Sequence, residues 1–154
     1  IEYQSSVMKK IIILLIFSLA FVNLQAQAPV KWTATYKSIN ATEGEITVIA
    51  LIEKNHHIYS QRPTDAGPIS TTFTFPATKQ YELVGKNEET NVHETYDPAF
   101  GEKLFSFDDK AEFRQKIKIK GKSGFTLPFK VEYTCCNDKM CLPPTTIDLN
   151  VKIQ

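Results

Sequence analysis

An all-β sandwich is the fold this 154-residue sequence predicts, and three observations carry the prediction. Apolar residues recur at every second position through several short runs, the period of a half-buried strand. Turn-forming residues punctuate these runs at nearly regular spacing, marking out about eight or nine short strands. No stretch downstream of the first apolar run shows the period of a long helix. Short strands with regular turns argue for a sandwich of the immunoglobulin-like kind.

The beginning of the chain reads as a signal for export. Met8-Lys9-Lys10 precedes the apolar run Ile11 to Val22, a positive start followed by a short hydrophobic core. That run falls short of the about 20 residues a bilayer span needs. Cleavage is expected after Ala26, since a cut after Ala28 would place Pro29 directly beyond it. Residues 1–7 precede the initiator methionine and read as an upstream artefact, residues 8–26 as the signal peptide, and residues 27–154 as one domain. The mature chain would keep 128 residues with 16 basic and 16 acidic side chains. Such a balance leaves no electrostatic footprint for nucleic acid or an anionic membrane. A periplasmic, soluble protein is therefore expected, in a compartment where disulfides persist.

Lys31 to Lys37 opens the mature chain as a strand, with Trp32, Ala34 and Tyr36 on one side. After a turn signal at Glu43-Gly44, Ile46, Val48, Ala50 and Ile52 alternate through a second. Ile58-Tyr59 begins a short third, stopped at Arg62-Pro63. Ser70 to Phe75 and Gln80 to Val84 follow. Lys86 to Lys103 is the longest irregular stretch, with an aromatic tip around Tyr96 to Gly101, and a loop of that length is usually functional or disordered. Phe113, Ile117 and Ile119 share a face of the next strand, while Lys116, Lys118, Lys120 and Lys122 line its solvated side. Gly121 and Gly124 turn the chain into Phe125, Leu127, Phe129, Val131 and Tyr133, and a last alternation joins Ile147, Leu149, Val151 and Ile153.

Between these two final strands lies Tyr133-Thr134-Cys135-Cys136-Asn137-Asp138-Lys139-Met140-Cys141-Leu142-Pro143-Pro144, which holds all three cysteines. Pro143 and Pro144 end any ladder pairing there, so the segment reads as a loop on a rigid β scaffold, where chemistry tends to sit. Four readings stand beside one another. Two cysteines held close can exchange a disulfide. A bridge over so short a loop can instead be a staple worth roughly 2 kcal/mol. The three thiols with His93 can be a zinc site, although structural zinc prefers paired cysteines on separate knuckles. Cys135, which by strand parity continues the inward face of Tyr133, can be a small buried hydrophobe. The tandem His56-His57 points to opposite faces of a strand, which disfavours a shared metal. Asn40-Ala41-Thr42 matches a glycosylation sequon, too common a pattern to carry weight. No metal, nucleotide or flavin motif appears, and no cofactor is expected.

Tyr133-x-x-Cys136, Asn137-Asp138 and Cys141-Leu142-Pro143-Pro144-Thr145 resemble the redox segment of the amino-terminal periplasmic domain of DsbD-type thiol:disulfide interchange proteins and their stand-alone disulfide bond corrector relatives. The similarity extends to His57-Ile58-Tyr59-Ser60 and to the loop ending in Phe100-Gly101. It implies an immunoglobulin-like sandwich whose cysteine pair passes electrons between thioredoxin-like partners.

Carried over by position, Cys141 matches the cysteine that forms mixed disulfides and Cys136 its resolving partner, the two catalytic residues. Phe100 falls at the aromatic cap that shields the pair, and Tyr59 and His57 fall where aromatic residues flank it. Two features depart from the pattern. Four residues separate Cys136 from Cys141 where the bacterial pattern has five; five residues separate Cys135, the alternative redox cysteine, from Cys141, but the Tyr133-x-x-Cys136 anchor favours Cys136. Ala99 also stands where a second cap aromatic is expected. Lys139 beside the pair favours a thiolate and Asp138 opposes it. The implied protein is a monomer and one link of a relay; the competing reading is a non-catalytic binding module with a structural disulfide.

Overall fold

The computed structural model describes residues 28–97 and 100–154. The expected signal peptide and upstream segment, together with Ala99, lie outside the described residues. Eleven strands make up the described chain: β1 Val30–Ser38, β2 Glu43–Ile52, β3 His56–Tyr59, β4 Thr72–Thr74, β5 Tyr81–Thr90, β6 His93–Asp97, β7 Glu102–Asp108, β8 Lys110–Ile119, β9 Phe125–Tyr133, β10 Cys135–Asn137 and β11 Thr145–Ile153. They form three antiparallel sheets of order β1-β2-β8-β5, β10-β3-β7-β6 and β11-β9-β4.

Alternation dictates which side each strand buries. In β2, Ile46, Val48, Ala50 and Ile52 turn inward, and in β8 Ala111, Phe113, Ile117 and Ile119 do the same. They meet Leu127, Phe129, Val131 and Tyr133 of β9, Val151 and Ile153 of β11, and Ile58, Phe107 and Cys135 of the β3 sheet in one continuous core. The first sheet thus packs its apolar face against the other two, an arrangement like a sandwich. Phe113 is its centre: Trp32, Phe73 and Phe107 all place rings within 6.0 Å of it, centroid to centroid. Burial of such a ring stabilises by about 1.5–3 kcal/mol.

One polar residue shares that inward face. Gln115 is 3 % exposed, and its amide donates to the carbonyls of Val84 (3.3 Å) and Lys116 (2.9 Å). The register between β5 and β8 jumps between Val84 and Glu88, with Gly85 at φ 71°. A bulge leaves ladder groups unpaired, and Gln115 satisfies the Val84 carbonyl there. Lys116 and Lys118 are exposed on the opposite face, as expected, while Lys120 and Lys122 are exposed beyond the end of β8.

Three expectations need correction. Glu43 and Gly44 belong to β2 rather than to a turn; Asn40 makes the turn by accepting the backbone N–H groups of Thr42 and Glu43 on Oδ1. Gly44 is there because a Cβ would collide with the Tyr36 ring lying across it. Within 86–103 the described residues are mostly strand rather than irregular: they complete β5 after its bulge, form β6 and begin β7. β6 is an edge strand exposed along nearly its whole length, so its sequence carries no apolar alternation to read. The β3 strand, finally, already includes both histidines.

Candidate redox site

Strand β3 sits inside the β10-β3-β7-β6 sheet, and its register fixes the site. Cys136 stands opposite His57 and Cys135 opposite Ile58 on one side. Asp108 stands opposite His57, and Ser106 opposite Tyr59, on the other. Directly paired residues project to the same side of a sheet. Ile58, Phe107 and Cys135 therefore enter the main core, while His57, Tyr59, Cys136, Ser106 and Asp108 share the outer face. Adjacent cysteines are thus divided between two environments by strand parity alone.

Cys136 is joined to Cys141 by a disulfide, their Cα atoms 3.9 Å apart. The turn between them is organised by Asn137, whose Oδ1 accepts the N–H groups of Lys139 (2.9 Å) and Met140 (3.0 Å). The Asn137 N–H donates to the Met140 carbonyl, and that of Leu142 to the Cys135 carbonyl. The loop is consequently held at both ends. The two sulfur-bearing residues differ sharply in access: Cys136 is 2 % exposed, whereas Cys141 is exposed, beside Met140 at 58 %.

Tyr59, Leu104 and Cys136 form a small buried cluster of their own, and Phe100 packs against it. The expected cap residue is thus adjacent to the Cys136 side of the pair. His57 Nε2 lies 3.0 Å from the Tyr59 hydroxyl, with the two rings edge to face. Burial, then Asp97, then Cys135 push the Tyr59 phenol up to about 12. A shallow cavity of about 200 Å³ opens beside this pair, lined by His57, Tyr59, Asp97, Leu104, Ser106 and Asp108 among others.

Cys135 is a free thiol, 3 % exposed. Burial, with Glu53 adding to it, pushes this thiol up to about 11, which suppresses the nucleophilic thiolate. The inward reading of Cys135 is the one the geometry follows. His93 lies on edge strand β6 opposite Ser106; Cys135 turns into the core and the other two sulfurs are bonded to each other, so the thiols do not converge with it.

Sequence reasoning missed what anchors Tyr59. Glu89 of β5 accepts the Ser60 hydroxyl at 2.6 Å and the Gln61 N–H at 2.9 Å. Thr71 Oγ1 donates to the Tyr59 carbonyl at 2.5 Å, and Arg62, 3.6 Å from Glu89, lies over the Phe105 ring. The β7 contribution of Leu104, Ser106 and Asp108 was missed as well, although Phe105 and Phe107 two residues apart were a usable signal.

The family model described as thiol:disulfide interchange protein DsbD, N-terminal, matches residues 25–152. Among solved structures, the reduced DsbD N-terminal domain of Neisseria meningitidis superposes with a TM-score of 0.55 at 14 % identity, covering 85 % of this chain and 90 % of that one. The N-terminal periplasmic domain of ScsB from Proteus mirabilis gives 0.54 at 15 %, covering 80 % of this chain and 45 % of that one. A Neisseria meningitidis complex between the DsbD N-terminal and PilB N-terminal domains gives 0.52 at 12 %, covering 84 % and 87 %. At these identities the likeness establishes the fold, an immunoglobulin-like sandwich. A search of curated proteins gives no match. With the family model spanning nearly all of the described residues, this chain belongs to the DsbD N-terminal domain family of thiol:disulfide interchange proteins.

Proposed function

We propose that this chain is an exported thiol:disulfide interchange domain that relays electrons between thioredoxin-like proteins through Cys136 and Cys141. The observation that carries the reading is the asymmetry of the bridge: one half is exposed on a tight turn and the other is buried beneath Tyr59, Leu104 and Phe100. Exchange proceeds by attack of a thiolate on one sulfur through a mixed disulfide. Only Cys141 is open to an incoming partner, so it forms the mixed disulfide, and Cys136 beside it resolves that intermediate. The solved complex of a family member with a second protein's domain supports a partner-facing role. The ScsB relative, described as periplasmic, supports export.

Trapping tests the assignment. Cys136→Ser removes the resolving thiol and should accumulate a stable mixed disulfide between Cys141 and a thioredoxin-fold protein. Cys141→Ser should accumulate little. Trapping by neither variant would show that the bridge is a staple in a binding module, and equal trapping by both would overturn the assignment of Cys141 as the attacked cysteine.

A further inference from the structure

We propose that His57 is the proton donor and acceptor for Cys136 during exchange, so that opening of the disulfide is coupled to the charge of one imidazole. The inference rests on the relay reading for its biological setting but not for its chemistry.

When a thiolate attacks Sγ of Cys141, a new S–S bond forms there, the Cys136–Cys141 bond breaks, and its electron pair departs on Sγ of Cys136. Cys136 is 2 % exposed, and a buried thiolate is strongly disfavoured. It needs a proton or a positive charge close by. Directly across the register from Cys136 is His57, and paired Cβ atoms of antiparallel strands lie about 4.5–5.5 Å apart on the same face.

The other groups facing His57 do not serve. On β3, the Tyr59 phenol is pushed up to about 12 and keeps its proton throughout the neutral range. On β7, Asp108 lies opposite His57, with Glu102 farther along the same face. On β6, Asp97 lines the same cavity and His93 projects to that face two strands away. On β10 the facing group is Cys136 itself, since Cys135 points into the core. Asp97 and Asp108 line the same cavity as His57, and the hydrogen bond between Nε2 and the Tyr59 hydroxyl fixes the ring. Imidazole is the side chain whose charge ordinarily changes between about pH 5 and 8. In the forward step, imidazolium gives its proton to the departing sulfur, leaving a thiol and neutral imidazole. In resolution, neutral imidazole takes that proton back as Cys136 attacks the mixed disulfide and releases the partner's thiolate.

The test compares wild type with His57→Gln and His57→Tyr, the latter keeping an aromatic ring should glutamine weaken the sheet. Opening of the oxidised bridge by reduced glutathione is timed from about pH 5.5 to 8.5 and normalised to glutathione thiolate. Both variants should open roughly tenfold or more slowly at the acid end, converging on wild type towards the alkaline end. A rate ratio that stays constant with pH overturns the proposal. The glutathione arm needs no protein partner, so failure of the relay reading would leave this result standing, and the reverse also holds.

Discussion

Phe100→Ala removes the ring that packs on Tyr59, Leu104 and Cys136 at the tip of the β6–β7 hairpin. The ring is half-buried, so the cost to the fold should be about 1–2 kcal/mol, below the about 3–5 kcal/mol of a fully buried phenylalanine. Its protective value is smaller still. A sulfur–ring contact contributes about 0.3–1.5 kcal/mol, which corresponds to a roughly twofold to tenfold change in how often the sulfur is uncovered. Because Cys136 is buried under the cluster and Cys141 is exposed, the effect should be confined to Cys136. The assay is alkylation of the reduced protein by iodoacetamide, followed over time by peptide mass spectrometry. Lys139 separates the two cysteines into different tryptic peptides, and a Cys135→Ala background leaves one thiol in each. Cys136 should label roughly two to ten times faster in Phe100→Ala while Cys141 labels at its wild-type rate. Equal Cys136 labelling in both proteins would refute the lid, and equal acceleration at both cysteines would show general loosening of the loop.

Cys135→Ala should leave exchange with thioredoxin-fold proteins nearly unchanged, because Cys135 faces the core and not the bridge; loss of exchange would move the redox role to Cys135. The same thiol predicts an alkaline limit. Its ordinary value of 9.0 rises to about 11 on folding, so the unfolded chain loses this proton first. The contribution of the buried thiol is complete below pH 9 and is lost as pH rises towards about 11. Denaturant unfolding should show stability falling over that window, with a shallower fall in Cys135→Ala. Glu89→Ala should cost about 2–3 kcal/mol, since it strips the Ser60 hydroxyl and the Gln61 N–H of a carboxylate whose side chain is 11 % exposed. An effect below about 0.5 kcal/mol would mean that the Tyr59 end of β3 is held by packing alone.

Most of the sandwich was legible because its strands are buried on one face only. Alternation in β2, β8, β9 and β11 is the direct imprint of that asymmetry, and it also separated Cys135 from Cys136 before any coordinates. What escaped was structure without such an imprint. Strand β6 is wet on both sides, so polar residues such as Glu94 and Thr95 reveal nothing of its pairing. Gly44 looked like a turn because glycine marks both turns and close approaches; only the ring of Tyr36 above it distinguishes the two. The knot between Ser60 and Glu89 joins residues 29 apart, and neither residue type announces a distant partner. His57 and Tyr59 were assigned to the site only through the family resemblance, and the placement of His57 opposite Cys136 required the register of β3 with β10.

The reduction potential of the Cys136–Cys141 pair tests the central claim most directly. Protein spanning residues 27–154 would be equilibrated with glutathione and with thioredoxin buffers and its free thiols quantified. A relay pair must be reducible by thioredoxin-like donors, so its potential should lie above roughly −300 mV, with rapid exchange in the thioredoxin buffer. A potential well below roughly −300 mV, with no exchange in either buffer, would contradict the relay and leave the bridge a structural staple.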